Sequence, residues 1–248
     1  MKNLTQKINH HLKKLNIKKN DNLIVHSNII PFGIYNVSLP KHIINCLLKI
    51  IGDSGSLAMP LYNLGLSNND IINLDKDYNK KENSILSKYY FDNYKVVKSS
   101  SIFHSHILLG PLEKEFKLRE VFNSYGKNSD FNFFLKKKFK LILLGCDASE
   151  GCTYLHYVEF KTKNFFRIKK YFNFTIKKSS KIYKKKIAYL VRKKNIFLNL
   201  NNVFFHPEVS KKTKIATLKY GKSFSIQLDD LDSISQKLLL KNPKLILK

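Results

Sequence analysis

LILLGCDASEGCTYLHYVE, residues 141–159, carries a sharp change of backbone habit within a few residues. Leu141 to Leu144 is an unbroken apolar run, the composition of a strand buried on both faces, and Gly145 ends it. CDASEGC is a polar connection, and TYLHYVEFK then has helical spacing with Thr153 placed to cap it. A buried strand feeding a helix is the repeating unit of an α/β fold, here expected as a layered mixed sheet with flanking helices.

The same unit recurs toward the N-terminus. DNLIVHSNII, 21–30, is short, apolar and rich in branched residues, and SLPKHIINCLLKIIG, 38–52, has helical spacing closed by Gly52. GSLAMP, 55–60, reads as the next strand, and the polar stretch from Asn63 to Lys88 is long for a connection in a compact domain, as binding loops are. Beyond the central helix, FFRIKKYFNFTIKK and the residues around NIFLNLNNVFF are expected to be antiparallel strands, and LDDLDSISQKLLLKNP a closing helix. No internal repeat or Pro/Gly-rich linker intervenes. Residues 1–248 are therefore read as a single domain, to which 165–248 adds an antiparallel sheet and the closing helix.

A chain of 248 residues, 43% hydrophobic, buries a full core without help from disulfides or metal. Cys46, Cys146 and Cys152 are odd in number and form no C-x-x-C pair, the usage of reduced thiols in a cytoplasm. MKNLTQKINHHLKKLN reads as an amphipathic first helix rather than a signal peptide, and the apolar runs fall far short of the ~20 residues that span a bilayer. The formal charge of +27 would suit a nucleic-acid or membrane-surface binder. Only Arg119, Arg167 and Arg192 are arginine, however, whereas surfaces that read bases favour its bidentate fork. Lysine, asparagine and isoleucine are enriched together, as an A+T-rich coding sequence would produce, so the charge is read as background and specific nucleic-acid binding is not expected. KKSSKIYKKKIAYLVRKK, 177–194, is the densest cluster and reads as a solvated face.

Thr153, His156 and Glu159 stand at i, i+3 and i+6, so a helix projects them within an arc of about 120°. In the first turn, the positive end of the helix dipole keeps the His156 imidazole neutral and able to accept a proton, with Glu159 as the candidate carboxylate to orient it. The sequence around them resembles the aminoglycoside 3-N-acetyltransferase family, whose pattern joins an apolar strand ending in glycine to T-x-x-H-x-x-E. The resemblance runs along most of the chain in order. The family's V-H-S-S and glycine loop is similar to Val25, His26, Ser27, Asn28 and Gly33, and its G-x-L-x-M-P to Gly55–Pro60. R-S-x-H-P-x-H-S is similar to Lys98, Ser99, His104 and Ser105 followed by Gly110, and F-G-x-x-S-P to Tyr125, Gly126 and Ser129. Lys214, Ile215 and Ala216 echo a terminal G-x-A.

The resemblance implies an acyltransferase that takes acetyl from acetyl-coenzyme A, with His156 as catalytic base and Thr153 facing the thioester. It places Ser27, Asn28, Gly33, Lys98, Ser99 and Ser105 along the coenzyme groove. Val37, Ser38 and Leu39 stand in place of the family's paired glycines, and Lys98, Ser101 and Ile102 in place of its arginine, histidine and proline, so the pyrophosphate is expected to be held differently.

The acceptor is a small-molecule amine. Aminoglycosides are polycations that call for acidic walls, and this chain has 18 Asp and Glu against 45 Lys and Arg. An anionic amino sugar of glycan biosynthesis fits that balance better. An aminoglycoside resistance enzyme, a catalytically idle homologue and cysteine catalysis by Cys146 or Cys152 are the alternatives, and assembly into a homo-oligomer is left open.

Overall fold

The computed structural model describes residues 2–163, 166–178 and 180–248. Among these, ten strands form two sheets: β1 (Leu23–Ser27), β2 (Leu57–Pro60), β3 (Ile71–Asn73), β4 (Val97–Lys98), β5 (His106–Leu109), β6 (Lys140–Leu144), β7 (Arg167–Lys178), β8 (Lys181–Arg192), β9 (Lys214–Leu218) and β10 (Gly221–Gln227). The larger sheet has the order β4-β5-β2-β1-β6-β10-β9. Its centre, β2-β1-β6, is parallel, and every further pairing is antiparallel.

Burial on both faces explains why β6 shows no polar alternation. Leu141 and Leu143 pack with helices Asp130–Lys136, Tyr154–Lys161 and Leu228–Lys241 through Phe131, Phe134, Leu155, Val158 and Leu231. Ile142 and Leu144 point the other way, into Ile8, Leu12, Ile43, Leu47 and Tyr90 of helices Lys2–Lys14, Leu39–Ile51 and Ile85–Asn93. The result is helix, sheet and helix in three layers. The chain leaves β1 for β2 on one side and later places β6 on the other, which opens a crevice at the carboxyl ends of these strands.

The smaller sheet, β3-β7-β8, corrects the expected partner of FFRIKKYFNFTIKK, whose first residue, Phe165, lies outside the described residues. β7 pairs with the lysine-rich 181–192, in unbroken register from Arg167↔Arg192 to Lys178↔Lys181. Tyr183, Ile187 and Tyr189 face inward with Phe172, Phe174 and Ile176, around Phe103. Lysines hid that period of two: they fill the solvent face, and the Lys185 ammonium rests 5.6 Å over the Phe122 ring on the other. NIFLNLNNVFF is not a strand. It carries one bridge, Leu198↔Leu247, and the short helix Asn201–Phe204, which buries Val203 and Phe204.

The added antiparallel pair of 165–248 is thus the hairpin β7-β8, while the strands that follow it leave that sheet, since β10 pairs with β6 and completes the main one. The closing helix, Leu228–Lys241, is where the spacing put it. The long segment after β2 is held down: β3 runs parallel to β7, and Asn83 accepts from Tyr62 N and donates to Tyr62 O, each at 2.7 Å.

Gly145 turns the chain at the end of β6 with φ +72°, and a Cβ there would stand 2.2 Å from the Asn28 carbonyl oxygen. Left-handed strain and the clash act together, so Gly145→Ala is expected to cost about 1–3 kcal/mol. Thermal unfolding checks it: the midpoint should fall by several degrees with far-ultraviolet dichroism unchanged at room temperature.

Candidate active site

The crevice holds a cavity of about 720 Å³. β1 delivers His26, Ser27 and Asn28 to it, the residues just after β2 deliver Tyr62, and Cys146 follows β6. The long segment adds Lys81–Ile85, and the hairpin adds Arg167 and Tyr189. Thr153 and His156 come from the helix after β6. Asp147 starts that connection with a capping box, accepting from Glu150 N at 3.0 Å while Glu150 accepts from Asp147 N. Thr153 occupies the N-cap place of the next helix but makes no side-chain cap bond, contrary to expectation. Its backbone is already helical, φ −58° and ψ −20°, and the residue lines the cavity with its side chain bonded to Tyr62 instead.

His156 and Glu159 meet as the spacing predicted. The Glu159 carboxylate, 1% exposed, has Oε2 3.2 Å from His156 Nδ1. Arg167, which the sequence reading left out of the site, donates from Nε to the same oxygen at 2.9 Å and places Nη2 2.8 Å from His156 Nδ1. Its Nη1 donates to Leu190 O at 3.2 Å, within the hairpin. With Nδ1 engaged by protein, Nε2 is the imidazole nitrogen free to meet a ligand in the cavity.

Burial pushes the His156 imidazole below its ordinary value, the Glu159 bond pulls it up and the Arg167 charge pushes it down, so the net is a neutral ring. The helix dipole is therefore not needed to explain the neutral imidazole. Burial alone would raise Glu159, but His156 and Arg167 outweigh it and hold the carboxyl low.

Around this pair stand groups that no sequence motif singled out as a network. Burial drives His26 down to about 3 and His104 well below its usual value. His26 Nε2 and His104 Nδ1 have no hydrogen-bond partner among the described residues, although both residues line the cavity. Behind them, Asp130 Oδ2 lies 3.0 Å from His106 Nδ1 and Oδ1 accepts from Arg119, while His106 Nε2 is 3.4 Å from the Tyr62 hydroxyl. Histidine in a buried strand, β5, was the available signal. Cys146 and Cys152 are free and buried, and burial pushes the Cys146 thiol up to about 12 and Cys152 further. Neither holds a reactive thiolate at neutral pH, which removes the support for cysteine catalysis.

Of the residues expected along the coenzyme, Ser27 and Asn28 line the cavity, Ser27 Oγ 3.0 Å from Ser84 Oγ and Asn28 Oδ1 accepting from Ile30 N at 3.1 Å. Gly33, Lys98, Ser99 and Ser105 stand behind its walls. Gly33 ends the turn Ile30–Phe32 with φ +65°. Lys98 donates to Leu74 O at 2.8 Å and Asp77 O at 2.7 Å, pinning the long segment, and burial lowers its amine to about 8. Ser99 Oγ accepts from His106 N, and Ser105 donates to Leu61 O.

No helix among the described residues is long and apolar enough to cross a membrane. No curated protein matches the sequence. Solved structures share the fold. The YokD protein from Bacillus subtilis superposes with a TM-score of 0.81 at 17% identity, over 96% of this chain and 99% of that one. An AAC-IIIb binary complex with CoASH gives 0.82 at 14%, over 96% of each chain. A mutant of aminoglycoside acetyltransferase AAC(3)-IVa in complex with apramycin gives 0.77 at 16%, over 97% and 93%. The model of the aminoglycoside 3-N-acetyltransferase family matches residues 24–231, from β1 into the closing helix. On that match the chain belongs to the aminoglycoside 3-N-acetyltransferase family, as an N-acetyltransferase whose acyl donor is acetyl-coenzyme A.

Proposed function

We propose that the chain acetylates an amino group of an anionic amino sugar, one linked to phosphate, a nucleotide or a lipid phosphate for glycan biosynthesis, with His156 as general base. The carrying observation is the neutral His156 imidazole on the cavity wall, backed by Glu159, with Nε2 unclaimed among the described residues. Acetyl-coenzyme A supplies the acetyl group as an activated thioester. The cavity volume lies within the ~300–1,000 Å³ of small-molecule sites, and the unpartnered His26 Nε2 and His104 Nδ1 offer bonds to a polar ligand. Ser27 and Asn28 would hold the coenzyme's amides, and Thr153 would face the acetyl end. His156 Nε2 takes the proton that the acceptor amine loses as it attacks, and Glu159 steadies the imidazolium that forms.

Charge supports the acceptor class. Around the cavity, Glu159 cancels Arg167 and Lys81 stands against Glu82 and Glu150, so a positive field there has to come from the flank. Residues 167–192 hold ten Lys and Arg and no Asp or Glu, and Arg167 and Tyr189 of this hairpin reach the cavity. Such a flank draws an anion inward and repels a polycation, most strongly within a Debye length of ~8 Å at physiological salt.

Thiol release from acetyl-coenzyme A across nucleotide-linked amino sugars and an aminoglycoside panel tests the reading. Turnover of the anionic sugars, reduced about 10²–10⁴-fold in His156→Ala, is expected. Turnover confined to aminoglycosides would sink the anionic acceptor while leaving the base in place. For the anionic sugars, kcat/KM should fall as salt rises. A base acts unprotonated, so a lowered imidazole keeps activity into more acid solution: the acid limb of kcat/KM should have its midpoint below 6.5. Glu159→Gln removes a bond that raises the imidazole, and should move that limb to still lower pH as kcat drops.

A further inference from the structure

His156 Nδ1 has two protein neighbours that make contradictory demands. To bond Glu159 Oε2 at 3.2 Å it must carry a proton; to accept from Arg167 Nη2 at 2.8 Å it must carry a lone pair. A guanidinium N–H 2.8 Å from a protonated ring nitrogen would set donor against donor. The shorter contact is the one to Arg167, and Glu159 Oε2 is already served by Arg167 Nε at 2.9 Å, so the carboxylate does not need the imidazole proton. In this arrangement the proton of the neutral ring sits on Nε2. The nitrogen that meets the acceptor is then a donor, unable to take the proton that amine attack releases.

We propose that Arg167 is a gate on the tautomer of His156, holding the imidazole in its Nε2–H form until a phosphate-class anion in the cavity draws Nη2 away from Nδ1. Arg167 lines the cavity, so an anion there competes directly for the guanidinium. Nε stays on Glu159 while Nη2 turns to the anion. Nδ1 then takes a proton from cavity water and keeps it in a hydrogen bond to the Glu159 carboxylate, and Nε2 returns one to water, so the ring stays neutral and the exchange balances. Nε2 is left with a lone pair facing the acceptor. The inference rests on the reading of His156 as the base and deepens it: Arg167 is a positioning residue that couples the charge of a ligand to the competence of the base. The anion has two candidate sources, the phosphates of the coenzyme and the phosphate of the acceptor.

Nitrogen-15 spectra of histidine-labelled protein at pH 7.5 read the tautomer without any turnover, with His156→Gln assigning the signals. The ligand-free protein should show His156 as Nε2–H. Coenzyme A in one sample and uridine diphosphate in another identify the source: whichever converts the signal to Nδ1–H supplies the anion. Arg167→Met should show Nδ1–H with no ligand, as should Arg167→Lys, which keeps a cation for Glu159 but lacks the fork. In kinetics, the ratio of kcat/KM for a phosphorylated over an unphosphorylated amino sugar should fall about tenfold in Arg167→Lys, the scale of one charged hydrogen bond. An Nδ1–H signal in the ligand-free protein, an unshifted signal with both anions, or Nε2–H persisting in a folded Arg167 variant would overturn the gate. Undiminished thiol release in His156→Ala is a different result, which removes the base itself.

Discussion

A carboxylate with 1% of its side chain exposed must be compensated, and the way Glu159 is compensated organises the site. The partner is supplied by another part of the fold. Glu159 sits on the helix that follows the central strand β6, and Arg167 opens β7 in the smaller sheet. Their bond therefore ties the hairpin to the three-layer body at the point where His156 faces the cavity. Stripping a buried carboxylate of its cation costs about 3–5 kcal/mol, so the position of the hairpin and the ionisation of Glu159 are one problem with one solution.

That solution uses the scarcest cation in the chain. Three arginines stand among 45 basic residues, and two of the three pair with carboxylates that are 1% exposed: Arg167 with Glu159 and Arg119 with Asp130. Lysine offers a point charge on a flexible stem, whereas Arg167 bonds Glu159 and the Leu190 carbonyl and reaches Nδ1 with three different nitrogens. In the sequence alone the few arginines argue only against base reading. Their placement shows a second meaning, since an arginine in a lysine background marks a place where planar geometry matters.

What was legible in the sequence follows from the range of the interactions involved. The strand of Leu141–Leu144, the turn at Gly145 and the i, i+3 relation of His156 to Glu159 are local, and periodicity reported them. Failures came where tertiary contacts decide. Lysines at outward positions and over aromatic rings masked β8, and the apolar NIFLNLNNVFF gave a strand pattern to a segment that buries Val203 and Phe204 from a short helix while Asn199 and Asn201 bond Ser149 and Asp147. Asp130, His106 and Tyr62 come from three separate stretches and meet only through the sheet. Thr153 looked like a cap because its residue type suits one, but a cap needs an extended backbone, and the connection had already begun to coil at Ala148.

The hairpin joins electrostatics to chemistry in one element. β7 and β8 place lysines on the outer face and Arg167 and Tyr189 at the cavity, so the strands that carry the lysine excess also touch His156. On the cavity wall Arg167 is cancelled by Glu159 and Lys81 faces Glu82 and Glu150, so the basic excess lies in the hairpin and not in the wall. A background excess of lysine from coding bias would spread over the chain without regard to structure. Residues 167–192 instead lack any acid, and their first residue contacts both members of the His156–Glu159 pair. A polycation entering would meet repulsion and leave Arg167 on Nδ1, whereas an anion would be drawn in and would compete for that guanidinium. On the proposal that the acceptor's phosphate is the anion, attraction and activation depend on the same charge, and one fold would discriminate between acceptors that present the same amine.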